Sequence, residues 1–210
     1  MRVMRKRIVL FGLLTMAGGR TVSAQAVSVG VKGGIPLIEA TGSNDDSRPY
    51  IAGVSLEIRL PAGFAIEADG LYRRIGNTNI FRSSQDGVTN SIISRQRGNS
   101  WELPVLGKYY FRPRASKWQP FAASGYAFRG IQVHSDAGVT TTDAGGVTHT
   151  SSFHNDFGLG LGAGAVFAGG VRFHAGRLAF LPELRYTRWG GSESNLTRKN
   201  EAGVLLGINF

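Results

Sequence analysis

The chain has 210 residues, with 24 Lys and Arg against 14 Asp and Glu and no cysteine. The missing cysteines exclude a disulfide framework and a lipid-modified N-terminal Cys, and no nucleic-acid motif accompanies the formal charge of +10. Five basic residues and no acid lie in the first 24 positions (Arg2, Arg5, Lys6, Arg7, Arg20), leaving 19 basic and 14 acidic residues, or +5, for the rest. Those charges are scattered, and their pull is toward anionic lipid head groups rather than nucleic acid.

Residues 1–24 read as a secretory signal. Arg2, Arg5, Lys6 and Arg7 form a positive n-region, residues 8–17 a short apolar core, and Val22-Ser23-Ala24 a small-residue cleavage site, with the cut after Ala24. The apolar run is shorter than the roughly 20 residues a membrane-spanning helix needs. Residues 25–210 then form one domain. No later segment approaches 18 continuous apolar residues, and mean hydropathy is near zero. Both fit strands that alternate apolar and polar residues, because alternation keeps the average low even where every strand spans.

Strand one is expected over 26–35, with Val27, Val29, Val31 and Ile35 on one face and Lys32 among glycines on the other; residues 36–49 read as a loop around Asn44-Asp45-Asp46. Strand two, 50–60, alternates Ala52, Val54, Leu56, Ile58 and Leu60 with Gly53, Ser55, Glu57 and Arg59. Pro61-Ala62-Gly63 is a tight turn. Strand three, 64–75, sets Phe64, Ile66, Ala68, Gly70 and Tyr72 against Glu67, Asp69 and Arg73. Residues 76–99 read as a long polar loop without apolar period.

Strand four, 101–111 (W-E-L-P-V-L-G-K-Y-Y-F), carries the clearest signal. Trp101, Leu103, Val105, Gly107, Tyr109 and Phe111 share a face with rings at both ends, and Glu102 and Lys108 lie opposite. Residues 112–117 turn the chain. Strand five, 118–130, places Arg129 inward and Ala122, Ser124, Tyr126 and Phe128 outward; residues 131–155 read as a second long loop. Strand six, 157–173, sends Leu159, Leu161, Ala163, Ala165, Phe167, Val171 and Phe173 out, with Gly160, Gly162, Gly164 and Arg172 in. Its glycines have strand periodicity and no following helix, so they are not a nucleotide loop but mark bending or crowding. Residues 174–177 turn. Strand seven, 178–188, sets Phe180, Pro182, Leu184 and Tyr186 against Leu181, Glu183, Arg185 and Thr187. Residues 189–200 form the last loop, and strand eight, 201–210, carries Ala202, Val204, Leu206, Ile208 and Phe210 on one face.

The fold class expected is all-β: an eight-stranded antiparallel up-and-down transmembrane β-barrel with long outer loops and short periplasmic turns. Unpaired strand edges in lipid cost several kcal/mol per group, so strands one and eight must pair. Chain direction sorts the rings into two girdles. Phe64, Tyr109, Phe111, Phe173, Phe180 and Phe210 fall at the periplasmic end; Tyr72, Trp101, Phe128 and Tyr186 fall at the outer end.

Three stretches, W-E-L-P-V-L at 101–106, P-E-L-R-Y-T-R-W at 182–189 and the end 203–210, resemble the small eight-stranded outer-membrane β-barrel domain family, the OmpX-like and opacity-type proteins. The resemblance implies insertion into the outer membrane of a Gram-negative-type bacterium and no single biochemical activity. The terminal Phe210 with Val204, Leu206 and Ile208 at alternate positions is similar to the signal read by the barrel-assembly machinery.

The lumen-facing charges expected are Lys32, Glu57, Arg59, Glu67, Asp69, Arg73, Glu102, Lys108, Arg129, Arg172, Glu183 and Arg185. An eight-stranded lumen is just wide enough for its own side chains, and buried charges need partners, so these read as a salt-bridge plug; a narrow ion path is the alternative. His134, His149, His154 and His174 supply no metal geometry, and no cofactor is expected. His149 and Ser151 form an H-x-S spacing with Glu183 as a conceivable third member, but a triad is recognised by geometry. The outer loops, 36–49, 77–99, 131–155 and 190–200, are where binding concentrates, with Arg82, Arg95 and Arg97 facing lipopolysaccharide phosphates. The function expected is therefore structural or interactive, through extracellular loops of a monomer. A small pore, a lipid A-modifying enzyme and a soluble exported barrel are the alternatives.

Overall fold

The computed structural model describes residues 27–38, 50–190 and 198–210, side chains 159–161 excepted. The signal reading over 1–24, most of loops 36–49 and 190–200, and the facing of Leu159, Gly160 and Leu161 lie outside these described residues.

Eight strands follow one another: β1 (Val27–Pro36), β2 (Ile51–Arg59), β3 (Phe64–Gln85), β4 (Val88–Tyr110), β5 (Trp118–Thr142), β6 (Thr148–Ala175), β7 (Leu178–Trp189) and β8 (Asn200–Asn209). Each pairs antiparallel with the next, and β1 pairs with β8, closing the barrel. Closure satisfies every edge that lipid would leave unpaired. Alternation holds along the strands. In β2, Ser55 and Glu57 are buried between exposed Val54, Leu56 and Ile58. In β4, Trp101, Leu103, Val105 and Tyr109 are exposed while Pro104, Leu106, Lys108 and Tyr110 are buried. The molecule is thus inverted: apolar side chains coat it and charges fill it.

The girdles form as contacts. At one end Phe64 and Tyr109 lie 5.1 Å apart and Tyr109 and Phe111 5.2 Å apart. At the other, Tyr72 and Trp101 lie 4.9 Å apart. Tyr72 and Tyr186 donate their hydroxyls to Asn99 and Asn200 at 2.8 and 2.7 Å, a polar tip on an apolar ring as an interface favours.

Two sequence expectations are corrected. Residues 77–99 and 131–155 are not irregular loops. The ladder β3–β4 runs on from Tyr72↔Trp101 to Gln85↔Val88, and β5–β6 runs on to Thr142↔Thr148. A polar strand exposed on both faces shows no apolar period, so periodicity alone does not reveal it. The Asp86-Gly87 dipeptide was the available signal. Both residues take positive φ, 52° and 76°, as a two-residue hairpin turn with the strands' own twist requires. The second correction concerns strand six, whose period-two reading does not run unbroken. The β5–β6 register shifts between Arg129 and Ile131, from Arg129↔Gly162 to Ile131↔Leu159. The β-bulge puts Phe157 opposite buried Val133, on the inner face.

Candidate functional site: the filled lumen and the protruding sheet

The structure places all twelve charges expected in the lumen on its inner face. Ten are buried, and Arg59 and Glu102 are partly so. They assemble into two groups.

In the group nearer the short turns, the Lys32 ammonium donates to Glu67 at 2.6 Å, Asp69 at 3.0 Å and Glu183 at 3.2 Å. Lys108 donates to the other Glu67 oxygen and rests 4.4 Å from the Phe121 ring centroid. Arg185 donates to Glu183 at 2.6 Å and to Asp69 at 2.7 Å. Below them Glu57 accepts from Arg172 at 2.8 Å, Arg59 at 3.0 Å and the Tyr110 hydroxyl at 2.6 Å. In the upper group, Arg73 and Arg129 donate to Glu201 at 2.9 and 2.6 Å; Arg73 also lies 3.3 Å from Glu102. Arg129 stacks 4.1 Å over Trp189.

Glu201 is the charged member missing from the sequence reading, and its alternation with the outward Ala202 was enough to find it. With it, the lumen holds seven cations and six carboxylates, which is close to neutral, as a low-dielectric interior demands. Apolar side chains interleave with the charges. Leu106, Phe121, Val166 and Leu181 pack among the lower group, and Ile75, Ile131 and Val133 form a separate cluster at the outer end.

Above Tyr72 and Trp101, β3 to β6 continue as a four-stranded sheet beyond the barrel. Among the described residues, β6 from Thr148 to Asp156 pairs with β5 alone; its pairing with β7 starts at Gly164↔Trp189. Arg82, Arg95 and Arg97 are exposed there, on the same side of the sheet as Trp101. The register joins Arg97, His134 and Asp156 in one row and Arg95, Asp136 and His154 in the next. His134 bonds Asp156 at 2.7 Å and His154 bonds Asp136 at 2.6 Å. The Asp136 hydrogen bond, with Asp156 and Asp136 charge, raises the His154 pKa; the His134 hydrogen bond lowers that of Asp156. Among the described residues no three His, Asp or Glu side chains are placed to hold a metal ion.

The H-x-S pair does not meet its third member. His149 and Ser151 sit opposite Thr141 and Val139 in the protruding sheet. Glu183 pairs with Gly170, 19 residues from Ser151 along β6, on the order of 60 Å of strand. His149 and His154 likewise do not join; the structure brings His154 to Asp136 and Asp156 instead.

Residues 23–190 match the family described as outer membrane protein beta-barrel domain. This chain belongs to that family. The match runs through β7, and β8 completes the closed barrel. No curated protein is matched. Three solved structures are similar over most of their length. The Neisserial surface protein A is 15% identical, with 88% of this chain and 96% of that one covered and a TM-score of 0.48. The N-terminal β-barrel domain of OprF from Pseudomonas aeruginosa is 12% identical, covers 89% and 98%, and scores 0.42. Ail, the attachment invasion locus protein of Yersinia pestis, is 13% identical, covers 87% and 94%, and scores 0.34. The family places the chain in the outer membrane. The short turns mark the periplasmic end and the long hairpins the outside, as in barrels of this kind.

Proposed function

We propose that this outer-membrane barrel works by contact rather than passage: it is a monomeric scaffold that holds a sheet above the membrane for an extracellular partner. The observation that carries the reading is a lumen filled with ion-paired side chains beneath four strands that outrun the outer girdle. The free edge of β6 offers backbone donors and acceptors to an extended segment, and Arg82, Arg95 and Arg97 offer guanidiniums to lipopolysaccharide phosphates. Export follows cleavage after Ala24, and Val204, Leu206, Ile208 and Phe210, which line the outward face of β8, serve as the assembly signal.

The test is planar-bilayer recording of detergent-purified protein whose mobility on SDS gels shifts on boiling. A silent bilayer is the expected result, with an unchanged lipid A profile on overexpression. Reproducible unitary steps would overturn the reading in favour of a small pore. Altered lipid A that disappears in Ser151→Ala would overturn it in favour of an enzyme.

A further inference from the structure

The periplasmic end carries charge that the lumen network does not use. Its three turns, residues 60–63, 111–117 and 176–177, hold Arg112, Arg114, Lys117 and Arg177 and not one Asp or Glu. All four cations are exposed, and among the described residues none has a carboxylate partner. The protruding sheet at the other end mixes both signs, through Asp86, Asp136, Asp143 and Asp156.

Two of these guanidiniums are held in place without being neutralised. Arg114 donates to the Leu60 carbonyl at 3.1 Å, tying the second turn to the first. Arg112 lies 3.5 Å over the Trp118 ring. With Arg59 they line a recess of about 60 Å³, closed by Gly63, Phe64, Tyr110 and Pro113. Arg59 shares its charge with Glu57 at 3.0 Å, so the recess keeps the positive charge of the other two.

A small site walled by three guanidiniums suits a phosphate group, whose oxygens accept paired N–H donors. The Phe64 wall decides where that phosphate comes from. Phe64 is also the first ring of the lipid-facing row Phe64, Tyr109, Phe111. An anion in the recess therefore has the apolar coat directly beside it, where acyl chains lie. We propose that the Arg59–Arg112–Arg114 recess binds the phosphate headgroup of an anionic phospholipid of the periplasmic leaflet. Lys117 and Arg177 extend the positive rim around it and favour anionic over zwitterionic lipid.

The experiment is native mass spectrometry of the full barrel released from micelles. Phosphatidylglycerol or phosphatidylcholine is added in titration, with inorganic phosphate as competitor. Phosphatidylglycerol retention about tenfold above phosphatidylcholine is expected, with a drop of about tenfold in Arg112→Gln/Arg114→Gln, the size of one lost charge-assisted contact. Equal retention of both lipids, or unchanged retention in the variant, overturns the site. Displacement by inorganic phosphate at the lipid's own concentration overturns the lipid as occupant. Should the double variant lose its mobility shift on boiling, Arg112→Lys/Arg114→Lys replaces it. That variant keeps the charge and loses the paired donors, so a severalfold drop is expected and an unchanged value refutes the proposal.

Discussion

Replacing Lys32 with Met removes one charge from the centre of the lumen with little change in volume. Its ammonium is shared among Glu67, Asp69 and Glu183 at 2.6, 3.0 and 3.2 Å, with its side chain and theirs all but shut off from solvent. Breaking a buried pair by removing one partner costs about 3–5 kcal/mol. Here no carboxylate is orphaned: Glu67 keeps Lys108, and Asp69 and Glu183 keep Arg185. The expected loss therefore lies at the low end, about 3 kcal/mol. The local balance of Lys32, Lys108 and Arg185 against Glu67, Asp69 and Glu183 falls from neutral to −1. Adding Asp69→Asn restores neutrality and should recover about half of the loss. The assay is urea unfolding in lipid vesicles, followed by tryptophan emission and the mobility shift on boiling. At a slope of about 2 kcal/mol per molar, the midpoint of Lys32→Met falls by roughly 1.5 M. A single variant within about 0.5 kcal/mol of the parent, or a double variant no better than the single, would refute the view that this cluster is held together by its charge balance.

The protruding sheet should depend on pH through its His–Asp rows. The His154 pKa is raised above its ordinary 6.5, so its stabilisation is complete below 6.5 and is lost as pH rises through the higher folded value. The Asp156 pKa is lowered below 3.8, so its share is present above 3.8 and is lost as pH falls through the folded value. Hydrogen exchange of this sheet should be slowest between about 3.8 and 6.5 after correction for intrinsic rates, and Asp136→Asn should bring the His154 titration seen by NMR back toward 6.5. Gly170→Val should abolish the folded band, because a Cβ there meets the Pro182 carbonyl oxygen at 2.3 Å and the Phe121 ring at 2.8 Å; Gly162→Ala, with nothing within 4 Å, should keep it. Phe210→Ala keeps the backbone bond from residue 210 to Val29. It should cut outer-membrane insertion in cells several-fold while leaving unfolding of the refolded protein within about 0.5 kcal/mol, and equal losses in both would refute a signalling role for the ring.

What the sequence determined by itself is everything that depends on a strand's period of two. Val54, Leu56 and Ile58 against Ser55 and Glu57 reads as outside against inside before any partner strand is known. The same local rule, followed up and down the chain, yields eight spanning segments, two ring girdles and an inward set of charges. Glu201 was legible by that rule too. The tertiary structure decided what needs a second strand. Lys32 meets Asp69 and Glu183, 37 and 151 residues away, and no local pattern says which acid a given base will find once the cylinder closes. The hairpins that continue β3 to β6 are also a tertiary outcome. Their residues are polar on both faces, so their strand form comes from cross-strand bonding that begins inside the barrel and propagates outward. The bulge at Arg129/Ile131 is of the same kind: one extra residue on β6 reverses its faces, and only the register against β5 reveals it.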